Sequence, residues 1–161
     1  MKMLGIFLIV FSCSILGFNF RKYFLCYLED IIRAEKFISN IIIGIKSEKI
    51  SLKEIFKNNL FNNDKKMLEF TKRLKPSELY KGKEIAMECG FCKNKQALSI
   101  LSECFSIIGK YSAEEQISEL EILRNKLLLL YKNSESEYKS KAKISGFFGI
   151  LGGIFIALVL L

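Results

Sequence analysis

Histidine and tryptophan are absent from the 161-residue chain, and proline occurs once. Without histidine the chain cannot build a Ser-His-Asp triad, a histidine-bearing zinc site or a histidine general base. A single proline among many leucine, isoleucine, lysine and glutamate residues leaves few helix breakers, so the composition favours an all-α fold. The net charge of +8 favours an acidic partner, whether protein, lipid or nucleic acid, without choosing among them.

Two long runs of the chain carry no charged residue. The first covers positions 3–20 and the second positions 144–161, so each is 18 residues long. At a rise of about 1.5 Å per residue, each run would form a helix of roughly 27 Å, close to the ~30 Å hydrocarbon core of a bilayer. The pattern predicts transmembrane helices over residues 1–20 and 144–161, with a separate domain at 21–143.

A cleaved signal peptide, or a lipoprotein signal ending at Cys13, is the alternative for the first run. Against this alternative, apolar residues continue past Cys13, no small-x-small cleavage site is clear, and Arg21-Lys22 close the run.

Lysine and arginine residues flank the inner ends of both runs and are scarce at the outer ends. Because basic residues near a span resist translocation, this distribution places segment 21–143 in the cytoplasm. Five cysteines then lie in reducing surroundings or beside lipid, so no disulfide is expected.

Small residues recur every four positions in the second run. Such a stripe puts small side chains on one helix face, where another helix can approach closely. The expected packing residues are Ser145, Gly149, Gly153 and Ala157. Gly5, Cys13 and Gly17 form a possible mate in the first run, although glycine is common in membrane helices and the partner stays open.

The apolar spacing of segment 21–143 predicts six helices. The first continues the first run with apolar positions from Tyr27 to Ile45, and Gly44 and the charged segment Lys46 to Lys49 end it. A second opens with a Ser51–Glu54 capping box, and a third is capped by Asp64, with inward residues Met67, Phe70 and Leu74.

The other three helices follow the single proline. Pro76 breaks the chain, and a fourth helix is predicted from Ser77 to Cys89, weakened by Gly82. A fifth begins near Lys95 and ends at Gly109. A second capping box, Ser112 with Glu115, opens a sixth helix that runs from about Ala113 into the second apolar run. The predicted fold is an all-α, membrane-anchored six-helix bundle whose long first and last helices continue into the transmembrane helices.

Positive charge is concentrated in the middle of the chain. Positions 46–83 hold 11 basic and 5 acidic residues, whereas positions 110–137 hold 4 basic and 6 acidic residues. This region suits an acidic cytoplasmic protein, although a merely solvated lysine face has the same pattern. The candidate partner-binding residues are Lys65, Lys66, Lys72, Arg73 and Lys75.

Nucleic acid, cofactors and small-molecule substrates are not expected. The chain has no recognised nucleic-acid motif, and its aromatic residues look inward. It has no glycine-rich phosphate loop, and carboxylates such as Glu114 and Glu115 suit a first helical turn better than an acid-base pair. The chain is therefore expected not to be an enzyme.

One motif points to a different chemistry. Cys89-Gly90-Phe91-Cys92 has the Cys-x-x-Cys spacing of redox dithiols and of half a zinc knuckle. A reactive thiolate favours a helix N-terminus, but Cys89 falls at a predicted helix end, and only Cys104 is near enough to add a ligand. Two small apolar residues at a corner between helices are expected, with a membrane-tethered thiol or metal-binding protein as the alternative.

The chain resembles the stage III sporulation protein AB family over essentially its whole length. The matching features are Met1-Lys2 with Leu4-Gly5, the helix Leu101 to Phe105 followed by Ile108-Gly109 and Gln116, and Phe148-Gly149 with Gly153. Two segments depart from the family pattern. Asn40-Ile41-Ile42-Ile43 replaces a Glu-Ile-x-Tyr segment, and Ile50-Ser51-Leu52 replaces Thr-Pro-Leu.

The resemblance implies a membrane platform protein of the channel complex that links mother cell and forespore. Family members are similar, in a cytoplasmic six-helix bundle, to the platform proteins of type II secretion and type IV pilus systems. The implied partners are a secretion-type ATPase, other stage III sporulation membrane proteins and membrane lipid. The implied location is the mother-cell side, in the outer forespore membrane, with Gly109 and Gln116 as family-matching structural residues.

Overall fold

The protein is all-helical in a computed structural model that describes residues 2–48, 56 and 64–159, without the side chains of 2–4, 6, 9, 48 and 157. Five α-helices and one 3-10 helix occur in this part of the chain. The α-helices are α1 (Lys2–Glu48), α2 (Lys65–Arg73), α3 (Gly82–Glu88), α4 (Lys95–Ile107) and α5 (Ala113–Val159), and the 3-10 helix is Pro76–Lys81. The all-α class is confirmed.

The chain divides into two compact units. The two-helix unit consists of Met1–Leu28 and Asn133–Leu161, and the bundle unit consists of Glu29–Lys132. Helices α1 and α5 each contribute to both units, as expected for long first and last helices.

Phenylalanine side chains form the centre of the bundle unit. The ring of Phe37 on α1 lies 5.3 Å from Phe70, 5.9 Å from Phe91 and 6.0 Å from Phe105, between ring centroids. These aromatic contacts join four separate stretches of the chain, and offset or edge-to-face pairs add about 0.5–1.5 kcal/mol each beyond area burial. The predicted inward residues Met67, Phe70 and Leu74 are all buried.

Several predicted helix boundaries are confirmed. Asp64 caps α2 by accepting a hydrogen bond from the backbone N–H of Lys66 at 2.8 Å. The backbone N–H of Ser112 donates to Glu115, whose own N–H donates to the Ser112 hydroxyl, as in a capping box. Gly109, at φ 81°, follows the end of α4. Helix α1 passes Gly44 and reaches Glu48.

The predicted fourth helix is wrong at its start. Ser77 does not begin an α-helix, because Pro76 instead occupies the first turn of a 3-10 helix that kinks at Glu78 (φ −120°, ψ 26°). The α-helix begins only at Gly82. A Cβ at that position would lie 2.6 Å from the ring of Phe105, so glycine is what allows α3 to pack against α4.

Two other predictions concern residues outside the described part. The second helix, from Ser51 to Leu60, lies there except for Phe56, which is helical and stacks on Phe37 with ring centroids 6.4 Å apart. Within the described residues, no helix combines the length and the apolarity needed to cross a membrane. The first charge-free run includes four side chains that are not described, and the second includes the Ala157 side chain and residues 160–161, which are not described, so the two spans stay a prediction.

Candidate functional site

The predicted partner-binding residues lie on and directly after α2. Its buried residues are Met67, Phe70 and Thr71. At 3.6 residues per turn, the four basic side chains of α2 occupy about one third of the circumference, opposite those buried residues. We call this surface the basic face, formed by Lys65, Lys66, Lys72, Arg73 and Lys75.

Most of the basic face is not neutralised by any residue that the structure describes. Arg73 pairs with Glu69 at 2.7 Å, one turn earlier on the same helix. Lys65, Lys72 and Lys75 are exposed and form no ion pair with any described residue. Three positive charges therefore remain available to an acidic partner.

A cleft lined by two lysines lies between the 3-10 helix and α4 and includes Pro76, the residue after Lys75. It has a volume of about 400 Å³. Lys83 and Lys110 line it together with Ser102 and Ser106, and the Ser106 hydroxyl donates to the carbonyl of Glu103 at 2.7 Å. Tyr80, also in the lining, is 77% exposed. The two ammonium groups suit the carboxylates of an acidic protein segment.

A buried carboxylate ties α1 to the loop before α4. Asp30 is fully buried and accepts hydrogen bonds from the backbone N–H groups of Lys93 at 2.6 Å and Asn94 at 3.2 Å. Its other oxygen accepts from Arg33 at 2.8 Å. Asn94 in turn caps α4 by accepting from Gln96 and Ala97. The carboxylate thus fixes the start of α4 against α1.

Arg33 connects the same carboxylate to the start of α2. Its Nε donates to Asp64 at 2.7 Å and its Nη1 also donates to the carbonyl of Phe91 at 2.9 Å. Burial alone lowers the pKa of Arg33, but the hydrogen bond and charge of Asp64, together with Asp30, outweigh it and raise the pKa. Burial alone raises the pKa of Asp64, and the bonds from Arg33 and the backbone reverse this effect and lower it. The N-terminus of α2, which carries the basic face, is therefore held by an ion pair.

The sequence patterns described above do not predict the Asp30 and Arg33 network. One signal was present. Asp30 lies four residues before Ala34 and seven before Phe37, which puts a carboxylate in register with the apolar stripe of α1. A charge at such a position requires a buried partner.

The Cys-x-x-Cys segment forms the corner between α3 and α4, as the sequence predicts. Gly90, at φ 64°, donates to the carbonyl of Met87, and Phe91 donates to that of Ala86, which is a Schellman ending. Burial raises the pKa of the Cys89 thiol, the opposite of what a reactive thiolate needs. No group of three metal-ligand side chains occurs among the described residues.

Gly109 and Gln116 contact each other directly. The backbone N–H of Gly109 donates to the side-chain oxygen of Gln116 at 3.2 Å, and the Gln116 amide donates to the carbonyl of Tyr111 at 2.6 Å. The spacing of seven residues between Gly109 and Gln116 therefore lets the Gln116 side chain bridge the turn between α4 and α5.

Small residues meet inside the two-helix unit. A Cβ at Gly149 would lie 2.7 Å from the Cα of Gly17, and a Cβ at Gly153 would lie 3.1 Å from the Cβ of Cys13. The mate of this stripe is therefore the first helix of the same chain. No described atom lies within 4 Å of the would-be Cβ of Gly5, and the Ala157 side chain is itself not described.

The family model for stage III sporulation protein AB matches residues 2–161. No curated protein matches the chain, and neither does any solved structure. The family comprises components of the sporulation complex and is not a known enzyme family. Because the match covers nearly the whole chain, the protein belongs to the stage III sporulation protein AB family, which implies a role in the stage III sporulation complex.

Proposed function

We propose that this chain is a non-enzymatic membrane platform protein of the sporulation channel complex between mother cell and forespore. Its bundle unit presents the basic face to an acidic surface of a secretion-type ATPase, and its terminal helices join it to membrane components. The observation that carries the proposal is a set of three exposed lysines that form no ion pair within the described part of the chain, namely Lys65, Lys72 and Lys75.

The ATPase as partner follows from the family together with the charge of this surface. The family implies a stage III sporulation complex, and the resemblance to secretion platforms implies an ATPase within it. Charge complementarity accelerates encounter and suppresses wrong partners, which suits a dedicated docking surface. The cleft lined by Lys83 and Lys110 would accept further acidic side chains.

Membrane anchoring is supported by sequence and by packing within the two-helix unit. The charge-free runs at 3–20 and 144–161 have the length of a span, and basic residues flank their inner ends. The close approach of Gly17 and Gly149 is of the type that associates helices in lipid. In this arrangement segment 21–143 is cytoplasmic, on the mother-cell side of the outer forespore membrane.

The proposal is tested by measuring binding of the purified ATPase to the full chain in phospholipid nanodiscs. Reversing three charges, as in Lys65→Glu with Lys72→Glu and Lys75→Glu, should weaken binding by roughly tenfold or more and flatten its salt dependence.

The matched control reverses three exposed lysines elsewhere, namely Lys93→Glu, Lys95→Glu and Lys132→Glu. Both triple variants change the net charge equally, so a general effect of charge would weaken both. Equal binding by the two variants would contradict the basic face as the docking surface.

A further inference from the structure

A second cavity lies between the helices of the two-helix unit. It has a volume of about 280 Å³ and is lined by Ser14, Phe18 and Arg21 of α1 and by Lys143, Gly146, Phe147 and Ile150 of α5. The volume is near the lower end of the ~300–1,000 Å³ that is typical of sites for small ligands. It suits a headgroup and the beginning of an acyl chain.

The cavity is basic at one end and apolar along its walls. The two helices are antiparallel here, because Gly17 meets Gly149 whereas the earlier Cys13 meets the later Gly153. Arg21 and Lys143 consequently lie at the same end. A Cβ at Gly146 would be 3.9 Å from the Cδ of Arg21, so the arginine reaches across to the facing helix.

The two basic side chains have no carboxylate partner among the described residues. The sequence has no aspartate or glutamate before Glu29 and none after Glu137. The guanidinium of Arg21 lies 5.8 Å from the ring centroid of Phe18, which holds it over the cavity wall. A ligand at this end must itself supply the negative charge.

The apolar part of the cavity decides the class of ligand. Phe147 and Ile150 are 67% and 51% exposed in the lining of the cavity. Ser14 lies seven residues from Arg21, which corresponds to roughly 10 Å along a helix. A free phosphate would leave this wall uncovered, and a neutral lipid would leave the two cations unpaired.

We propose that the cavity binds one anionic phospholipid, with its phosphate between Arg21 and Lys143 and an acyl chain along Phe18, Phe147 and Ile150. The inference rests on the membrane anchoring in the proposed function. It goes beyond that function by naming the class of lipid and the residues of the chain that bind it. Arginine and lysine at the end of a span attract anionic headgroups, and a cavity between two helices makes this attraction specific for one position.

The test is native mass spectrometry of the full chain in detergent with phosphatidylglycerol and phosphatidylcholine at equal concentrations. The wild-type protein should retain phosphatidylglycerol in preference to phosphatidylcholine. Arg21→Gln with Lys143→Gln should lower that preference roughly tenfold. The control, Lys22→Gln with Lys132→Gln, removes the same charge outside the cavity and should leave the preference unchanged.

A second variant tests the apolar part without changing charge. Gly146→Leu fills the cavity, and its first side-chain atom meets only the flexible Arg21 at ordinary contact distance. The amount of phosphatidylglycerol that this variant retains should fall sharply. In the wild type, excess inorganic phosphate should not displace the bound lipid. Displacement by phosphate, or unchanged retention in either cavity variant, would overturn the lipid site.

Flotation with lipid vesicles separates the two proposals. All variants should float with vesicles, since no substitution places a charged residue inside a charge-free run. If the wild type and the cavity variants float and show the same lipid preference, the lipid site is refuted and membrane anchoring is not. A wild-type chain that fails to float would refute both the site and membrane anchoring.

Discussion

Asp30 shows at the scale of a single residue how this small bundle positions its surface. The carboxylate is fully buried and accepts three hydrogen bonds, from Arg33, Lys93 and Asn94. Removing one partner of a buried ion pair leaves an uncompensated charge and unpaired donors. We expect Asp30→Ala to lower the free energy of unfolding by about 3–5 kcal/mol, measured by chemical denaturation followed by circular dichroism.

The neighbouring Glu29 provides the control for this substitution. It lies on the same helix and is exposed, so Glu29→Ala should change the free energy of unfolding by about 0.5 kcal/mol or less. Similar losses in the two variants would show that the buried network does not hold the start of α4.

Asp64 gives the bundle a dependence on acid. Its pKa is lowered in the folded protein, where burial is outweighed by the bonds from Arg33 and from backbone N–H groups. The unfolded chain therefore binds the proton more tightly, and the stabilisation is present above the unfolded pKa of about 4. It should be lost as pH falls from there through the lower folded pKa. A titration of unfolding free energy should be flatter over this range in Asp64→Asn, and an unchanged slope would contradict the assignment.

At the scale of elements, the two-helix unit depends on one close approach. A Cβ at Gly149 would meet the backbone of Gly17 at 2.7 Å and the carbonyl of Cys13 at 2.9 Å, so the helices would have to separate. We expect Gly149→Ala to cost about 1–3 kcal/mol as overpacking, measured as a lower midpoint of thermal unfolding in detergent.

Gly152 is the matched position on the same helix. No atom of the described residues lies within 4 Å of its would-be Cβ, and alanine is the better helix former by about 1 kcal/mol. Gly152→Ala should therefore leave the midpoint unchanged or raise it. A midpoint that falls equally in both variants would mean that the small-residue contact does not stabilise the unit.

Local signals determine which elements could be predicted from the sequence. The caps at Asp64 and Ser112 and the glycine at 109 act within a few residues, and all three are where the sequence places them. The predicted start of the fourth helix at Ser77 is wrong, because the stretch Pro76–Lys81 forms a 3-10 helix that kinks at Glu78. The packing of Gly82 against Phe105, far later in the chain, is a contact about which single-sequence patterns carry no information.

At the scale of the whole molecule, the distribution of charge was predictable and the long-range ion pairs were not. The excess of lysine in the middle of the chain indicates the basic face, and one of its five cations, Arg73, pairs with Glu69 four residues earlier on the same helix. The contacts of Arg33 with Asp64 and Phe91 span 31 and 58 residues. Only the packed bundle brings these groups together, whereas length and apolar periodicity were enough for the all-α class.

The central claim is that both ends of the chain are held in the membrane while the bundle unit faces the cytoplasm. It is tested most directly by producing the chain in vegetative cells, where it would insert into the plasma membrane, and adding trypsin outside their protoplasts. The basic segment from Lys65 to Lys83 offers six cleavage sites, since the bond between Lys75 and Pro76 is not cut. We expect it to stay intact until the protoplasts are lysed, with the protein retained in membranes after alkaline extraction. Cleavage in intact protoplasts, or release of the protein by alkali, would contradict the account.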